Sequence, residues 1–216
     1  MSDPADFIRA ETAISAPALV PEIRLHLASE ILPIWQATEA DLEKHGLPPP
    51  YWAFAWPGGQ ALARHILDHR ELVAGRRVLD FAAGSGLTAI AAALAGAATV
   101  AAADIDRFAL SAIALNAGIN GVEVLPMGDD IVGTEGDWDV ILAGDVCYER
   151  PMAERVNAWF AGLARAGRLV LMGDPGRSYL PTTGLRELAR YQVPTSLELE
   201  YCTLRETVVW RWEGGA

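Results

Sequence analysis

From Arg77 to Met172 the sequence alternates between short apolar runs and stretches of helical character. No other feature restricts the fold as much. Val78-Leu79-Asp80-Phe81 reads as a strand, and Leu87 to Leu94 as an Ala-rich helix closed by Gly96. Thr99 to Ala103 is a second strand. A helix from Arg107 to Asn116 follows, with Asp106 at its N-cap. Val122 to Leu125 and Trp138 to Ala143 give a third and a fourth strand. A helix from Met152 to Leu163 is opened by Pro151, and Arg168 to Met172 is the fifth strand. Repeated strand–helix–strand units require crossovers, hence a parallel sheet covered on both faces, and the nearly unbroken apolar strands agree. Beyond Met172 the alternation lapses. Leu185 to Tyr191 reads as a helix, Leu197 to Tyr201 alternates as a strand, Leu204 to Glu206 suits a turn, and Thr207 to Trp210 is a further β-rich run. Two final strands in succession predict an antiparallel hairpin added to the parallel sheet.

The first 50 residues look like an extension, leaving 51–216 as the main domain. In it, Pro4 to Ile14 is a short helical pattern, Ile23 to Leu27 alternates, and Ala37 to His45 reads as a helix between Thr38 and Gly46. Pro48-Pro49-Pro50 marks the boundary. The aromatic segment Tyr51 to Trp56 follows, ending in Pro57-Gly58-Gly59, and then a helix from Gln60 to Leu72.

A chain of 216 residues with 51% apolar residues can bury a substantial core. Its formal net charge of −11 repels phosphate backbones, which argues against a nucleic-acid partner. Cys147 and Cys202 cannot make a disulfide framework and suit a reducing, cytoplasmic setting; no targeting segment is evident at the start. Phe81 to Ala103 has 23 residues without a charge, long enough to span a bilayer, but Gly84, Gly86 and Gly96 divide it into loop, helix, turn and strand, so no membrane association is expected. No long apolar heptad favours a coiled-coil dimer, and a monomer is expected.

The stretch from Val78 to Leu87 runs a strand into a glycine turn that opens a helix. Gly84 and Gly86 let a ligand approach the backbone, and the helix start offers free N–H groups. Gly84 to Ala89 matches the dinucleotide pattern G-x-G-x-x-A, and Asp104 follows Gly86 by 18 positions, where a ribose-binding carboxylate belongs. A dinucleotide-binding oxidoreductase is therefore one reading. Asp80 favours another, because a pyrophosphate at this turn would face a like charge. S-adenosylmethionine carries an ammonium and a sulfonium, which Asp80 would attract. Asp104 would then take the ribose hydroxyls, and Asp129 or Asp130 the adenine amino group.

With these residues and four further segments, the chain resembles the seven-strand, class I S-adenosylmethionine-dependent methyltransferases, a Rossmann-like α/β fold. Its nearest likeness there is to the electron transfer flavoprotein β-subunit lysine methyltransferases. The segments are Trp52 to Leu62, Asp104-Ile105-Asp106, Gly144 to Tyr148 and Gly173 to Arg177, and the likeness covers roughly residues 20–212. One departure is Ala82, where the superfamily loop usually has its first glycine. The resemblance implies that Asp145 and Tyr148, the D-x-x-Y motif, meet the methyl acceptor, with Asp145 orienting the amine and Tyr148 walling its channel. It also implies that Trp56 packs near the methionine end of the cofactor. Val146 and Cys147 stand where base methyltransferases have prolines, which disfavours a nucleobase acceptor. The implied reaction is methylation of lysines on the β subunit of electron transfer flavoprotein. The alternatives are ribosomal protein or a small amine as acceptor. No metal is required: His65 and His69 are spaced i, i+4 but have no companion ligands. Cys147 has no basic neighbour to activate it as a nucleophile.

Overall fold

The computed structural model describes residues 3–28 and 49–214. The helix expected from Ala37 to His45 lies outside them. The main sheet has seven strands in the order β5-β4-β3-β6-β7-β9-β8. Its parallel part is β3 (Arg77–Phe81), β4 (Thr99–Ala103), β5 (Leu125–Met127), β6 (Val140–Gly144) and β7 (Leu169–Asp174). The antiparallel edge is β8 (Leu185–Pro194) and β9 (Leu204–Trp212). From β3 the chain builds outward through β4 and β5, then returns to the other side of β3 with β6. That reversal opens a crevice beyond the carboxyl ends of the strands, the usual ligand position in such sheets.

Alternate residues along each strand serve opposite cores. Val78, Val100, Leu142 and Leu171 meet Ala61, Leu62 and Ile66 of α2 (Pro57–Asp68) and Ala89 and Ala92 of α3 (Leu87–Leu94). Leu79, Phe81, Ile141, Val170 and Met172 meet Val156, Trp159, Phe160 and Leu163 of α5 (Arg150–Arg165). The fully buried strands explain the continuous apolar runs. α4 (Arg107–Asn120) is longer than the pattern indicated. It is capped by Asp106 and ends at Gly121, whose φ of 65° permits the stop. Val122 donates back to the Ala117 carbonyl in that cap, so the next strand starts only at Leu125.

The N-terminal residues pack against this layer. α1 (Pro4–Glu11) buries Ile8 among Trp52, Ala109 and Ala112. Beyond α1, β1 (Ala13–Ser15) pairs with β2 (Leu25–Leu27), and Val20, Ile23 and Leu25 meet Ala63, Leu87 and Ile90.

The C-terminal hairpin exists, but its parts are not the expected ones. Leu185 to Tyr191, expected as a helix, lies in β8, which pairs with β9 from Leu185↔Trp212 to Pro194↔Leu204. Leu, Arg, Glu and Ala favour a helix locally, and the long pairing overrides that preference. Leu197 to Tyr201, expected as a strand, instead contains the four-residue helix α6 (Leu197–Glu200). Ser196 accepts from the Leu199 N–H at its start, and Tyr201 ends it at φ 57°. Leu204 to Glu206, expected as the turn, opens β9. Among the described residues no helix is long and apolar enough to cross a membrane.

Candidate active site

β3 ends in a loop whose backbone turns left-handed three times, at Ala82 (φ 52°), Gly84 (φ 52°) and Gly86 (φ 79°). Ala82 adopts a conformation that suits glycine, so the departure from the usual glycine is carried as backbone strain. Gly86 is the N-cap of α3. Asp80 is fully buried beneath this loop. Its oxygens accept from the Thr88 hydroxyl at 2.7 Å and the Ala89 N–H at 2.8 Å. The side chain thus secures the first turn of α3 from behind and acts on the crevice through its field. Burial pushes its carboxyl up to about 7 against the pull of these two donors.

Asp104, at the end of β4, accepts from the Gly84 N–H at 2.9 Å and the Asp106 N–H at 3.0 Å. Burial raises its carboxyl above the ordinary range, and burial lifts Asp106 to about 6. Ile105 between them is 79% exposed, an apolar side chain at the crevice rim. The two aspartates after β5 differ. Both are exposed, but Asp130 pairs with Arg155 at 2.8 Å.

The loop is also tied from below by a residue that the motif reading missed. Asn116 of α4, fully buried, donates to the Ser85 carbonyl at 2.9 Å and accepts from the His26 N–H at 2.8 Å. It links the glycine turn to β2. The only sequence signal was a polar residue on the buried face of a helix.

On the other side of β3, the Pro57-Gly58-Gly59 segment opens α2 directly over β6 and β7. A Cβ on Gly58 would overlap the Gly173 carbonyl oxygen and the Asp145 carboxylate. A Cβ on Gly144 would lie 2.8 Å from Gly59 Cα, and one on Gly173 2.8 Å from the Gly58 carbonyl carbon. Glycines at these positions let the helix start touch both strand ends, a packing reason for the Trp-Pro-Gly-Gly and Gly-Asp-Pro-Gly-Arg segments.

That contact holds Asp145, itself left-handed at φ 56° and 8% exposed. Its Oδ2 accepts from the N–H groups of Gly58 (2.5 Å) and Gly59 (3.3 Å), and its Oδ1 from Arg177 Nε (2.9 Å) and Nη2 (2.6 Å). Burial pushes the Asp145 carboxyl up to about 6, with Arg177 pulling it down. Arg177 also reaches Glu200 of α6, and its Cζ lies 5.8 Å from the Trp56 ring centre. Trp56 donates its indole N–H to the Tyr51 carbonyl. Tyr148 is 41% exposed, its ring 5.5 Å from that of Tyr51, and burial of its hydroxyl end moves it up to about 12. Tyr51, Trp56 and Tyr148 thus form an aromatic rim beside the Asp145–Arg177 pair. Arg177 was legible only as part of a loop motif, and Glu200 and Tyr51 carried no signal for this site.

Cys147 is buried and pushed up to about 12, so it remains a thiol at neutral pH. Among the described residues no group of three or more His, Cys, Asp or Glu side chains could hold a metal ion.

Comparison with known proteins decides the family. The electron transfer flavoprotein beta subunit lysine methyltransferase of Danio rerio is 40% identical over 206 residues, covering 92% of this chain and 79% of its own. The Homo sapiens protein of the same description is 36% identical, covering 96% and 81%. The chain belongs to the electron transfer flavoprotein beta subunit lysine methyltransferase family. A family model described as ribosomal protein L11 methyltransferase also matches residues 61–147, from α2 through the glycine loop to Cys147, one residue short of Tyr148. Among solved structures, magnesium protoporphyrin IX methyltransferase from Synechocystis PCC 6803 with bound SAH superposes at a TM-score of 0.54. Its identity is 16%, with 72% of this chain and 81% of that one covered, which shows a shared fold. As a member of this family, the chain is a methyltransferase.

Proposed function

We propose that this chain transfers methyl groups from S-adenosylmethionine to lysine side chains of the electron transfer flavoprotein β subunit. One structural observation carries the choice of cofactor. Asp80, Asp104 and Asp106 crowd the glycine turn, and among the described residues every hydrogen-bond partner of the first two is a neutral N–H or O–H. Arg107 pulls on Asp106, but three carboxyl groups outnumber that one cation, and a doubly phosphorylated dinucleotide would deepen the imbalance. A cationic nucleoside relieves it. The fit is therefore good, with Asp104 and the backbone of Gly84 and Gly86 holding the nucleoside, Asp80 and Trp56 towards the methionine end, and Asp129 near the base. When bound, the cofactor supplies an electrophilic methyl group on a sulfonium.

The acceptor chemistry belongs to the protein's own groups. A lysine ε-ammonium must shed a proton before its lone pair can attack. Entry past the Tyr51, Trp56 and Tyr148 rings strips water from the ammonium and lowers its pKa. Asp145, ionised above about pH 6, accepts hydrogen bonds from the amine and aims it. Its charge favours the ammonium form, so it orients and the released proton leaves to solvent. The Tyr148 hydroxyl stays protonated and completes the wall. Orientation of this kind is worth roughly 7–11 kcal/mol in well-aligned pairs.

The substrate assignment rests on family membership and on charge: a chain of net charge −11 suits a lysine-bearing protein surface. We take the chain to act as a monomer in the cytoplasm, without nucleic acid, with residues 51–216 carrying the chemistry. The test is incubation of the enzyme with labelled methyl donor and, separately, flavoprotein β subunit, ribosomal protein L11 and small amines, with tryptic mapping of added mass. Methylated lysine on the flavoprotein subunit is expected. Label only on L11 or on small amines would overturn the substrate, and tight NAD binding without S-adenosylhomocysteine binding would overturn the cofactor.

A further inference from the structure

The buried charges around Asp145 extend beyond the D-x-x-Y motif. Three carboxylates converge beyond the ends of β6 and β7: Asp145, Asp174 and Glu200, all less than a tenth exposed. Two guanidiniums face them. Arg177 binds Asp145 and reaches Glu200 through Nη2 at 2.5 Å and Nη1 at 3.2 Å, and Arg205 Nε lies 3.8 Å from Glu200. Asp174 accepts the N–H groups of Gly176 and Arg177 on Oδ1, each at 2.7 Å, and its Oδ2 has no partner. With all three carboxyls ionised the cluster is one positive charge short, an unfavourable imbalance in a buried site, and burial raises the Asp174 and Asp145 carboxyls accordingly. A second feature is the sharing of one nitrogen: Arg177 Nη2 serves both Asp145 and Glu200. A static clamp on Asp145 would need no second carboxylate. With one, the guanidinium can release Asp145 while remaining paired, and the Trp56 face still supports it.

We propose that Glu200 and Arg177 are positioning residues for the amine acceptor: Glu200 retains the Arg177 guanidinium when a cationic amine takes its place on Asp145 Oδ1. The inference rests on the lysine-directed reading above. Asp145 keeps its two N–H donors from Gly58 and Gly59 throughout, so its carboxylate stays aimed while the second oxygen changes partner. The incoming ammonium makes up the missing positive charge, which gives the site a preference for cationic side chains. α6 and the β8–β9 connection, far along the sequence from the D-x-x-Y motif, thereby become part of acceptor recognition.

The charges around Asp145 follow the same arrangement. The groups facing Asp145 are Asp174 at the end of β7, Arg177 from the loop after it, Glu200 from α6, the N–H groups of α2, and Cys147 from its own loop. Arg177 lowers its carboxyl, whereas Asp174 and Glu200 raise it.

The experiment compares wild type with Glu200→Gln, Glu200→Asp and Arg177→Lys, using full-length enzyme and purified flavoprotein β subunit. Glu200→Gln is expected to raise KM for the acceptor about tenfold, since Arg177 is left with Asp145 alone, with KM for the methyl donor unchanged. Glu200→Asp, which keeps the charge, should stay within about threefold of wild type. In a ¹³C-carboxyl titration, assigned through Asp145→Asn, the Asp145 signal should move to lower pH in Glu200→Gln. A loss of thermal stability with acceptor KM and titration unmoved would overturn the proposal. If Glu200→Gln fails to fold, Arg177→Lys decides, because a single ammonium nitrogen cannot reproduce the planar fork whose three nitrogens span Asp145 and Glu200: a raised acceptor KM supports the idea and an unchanged one overturns it. If wild type methylates no lysine, the functional reading fails, and the titration still tests the coupling.

Discussion

Gly58 and Gly59 are neighbours in the first turn of one helix, yet the structure assigns them opposite tolerances. An alanine at 58 would push its methyl into the Gly173 carbonyl and the Asp145 carboxylate, and to 2.8 Å from Asp145 N. Carbon and nitrogen or oxygen need well over 3 Å. The start of α2 must therefore lift off β6 and β7, and the Gly58 N–H loses its 2.5 Å bond to Asp145. Overpacking costs about 1–3 kcal/mol, and a lost hydrogen bond to a charged group about 1.5–3 kcal/mol, so about 3–6 kcal/mol in total. At roughly 2–4 °C per kcal/mol for a chain of this size, the midpoint of thermal unfolding should fall by about 6–24 °C. Gly59→Ala places its methyl 3.9 Å from Leu87 Cδ2, an ordinary contact. Alanine's helix preference then favours that variant by at most about 1 kcal/mol. Calorimetry or urea titration of both variants reads the contrast directly. If Gly58→Ala lies within about 1 kcal/mol of wild type, or the two variants shift alike, the close helix–strand contact is not what these glycines are for.

Three further outcomes follow from the site. Ala82→Gly should stabilise the chain slightly: relief of the left-handed alanine is worth about 1–2 kcal/mol, offset by about 0.4–1 kcal/mol of unfolded-state entropy, and a lower unfolding midpoint would contradict the strain. Asp80 is held at about 7 in the fold against an ordinary 3.8, so its contribution is fully present below pH 4 and is lost as pH rises through 7. Asp80→Asn should therefore flatten the decline in unfolding midpoint across that window, and an unchanged slope would locate the effect elsewhere. Asp104→Asn should weaken S-adenosylmethionine binding by about tenfold or more in calorimetric titration; an unaltered Kd would remove Asp104 from the cofactor site.

The fold's parallel half was readable because burial on both faces writes itself into local sequence. Runs such as Val140-Ile141-Leu142 admit few other environments, and Asp106 marks the start of α4 through its side chain, whereas the end at Gly121 lay past the expected Asn116. The final hairpin resisted the same reading. Leu185 to Tyr191 has helix-forming residues and becomes a strand, because its partner β9 lies beyond α6 in the chain.

The site divides along the same line. A strand entering a glycine turn, with Asp80 before it and Asp104 after the next strand, was legible from residue order, since those spacings are set by short covalent connections. Residue order also singled out Asp145 and Tyr148 through a four-residue motif. Folding in three dimensions was needed to put Asp80 beneath the loop and to let Gly58 and Gly59 donate to Asp145 from 87 and 86 positions away. The same holds for Arg177 dividing one nitrogen between Asp145 and Glu200. Hydrogen bonds and charge balance depend on distance in space, and residues so far apart in the chain acquire a distance only when the sheet has formed.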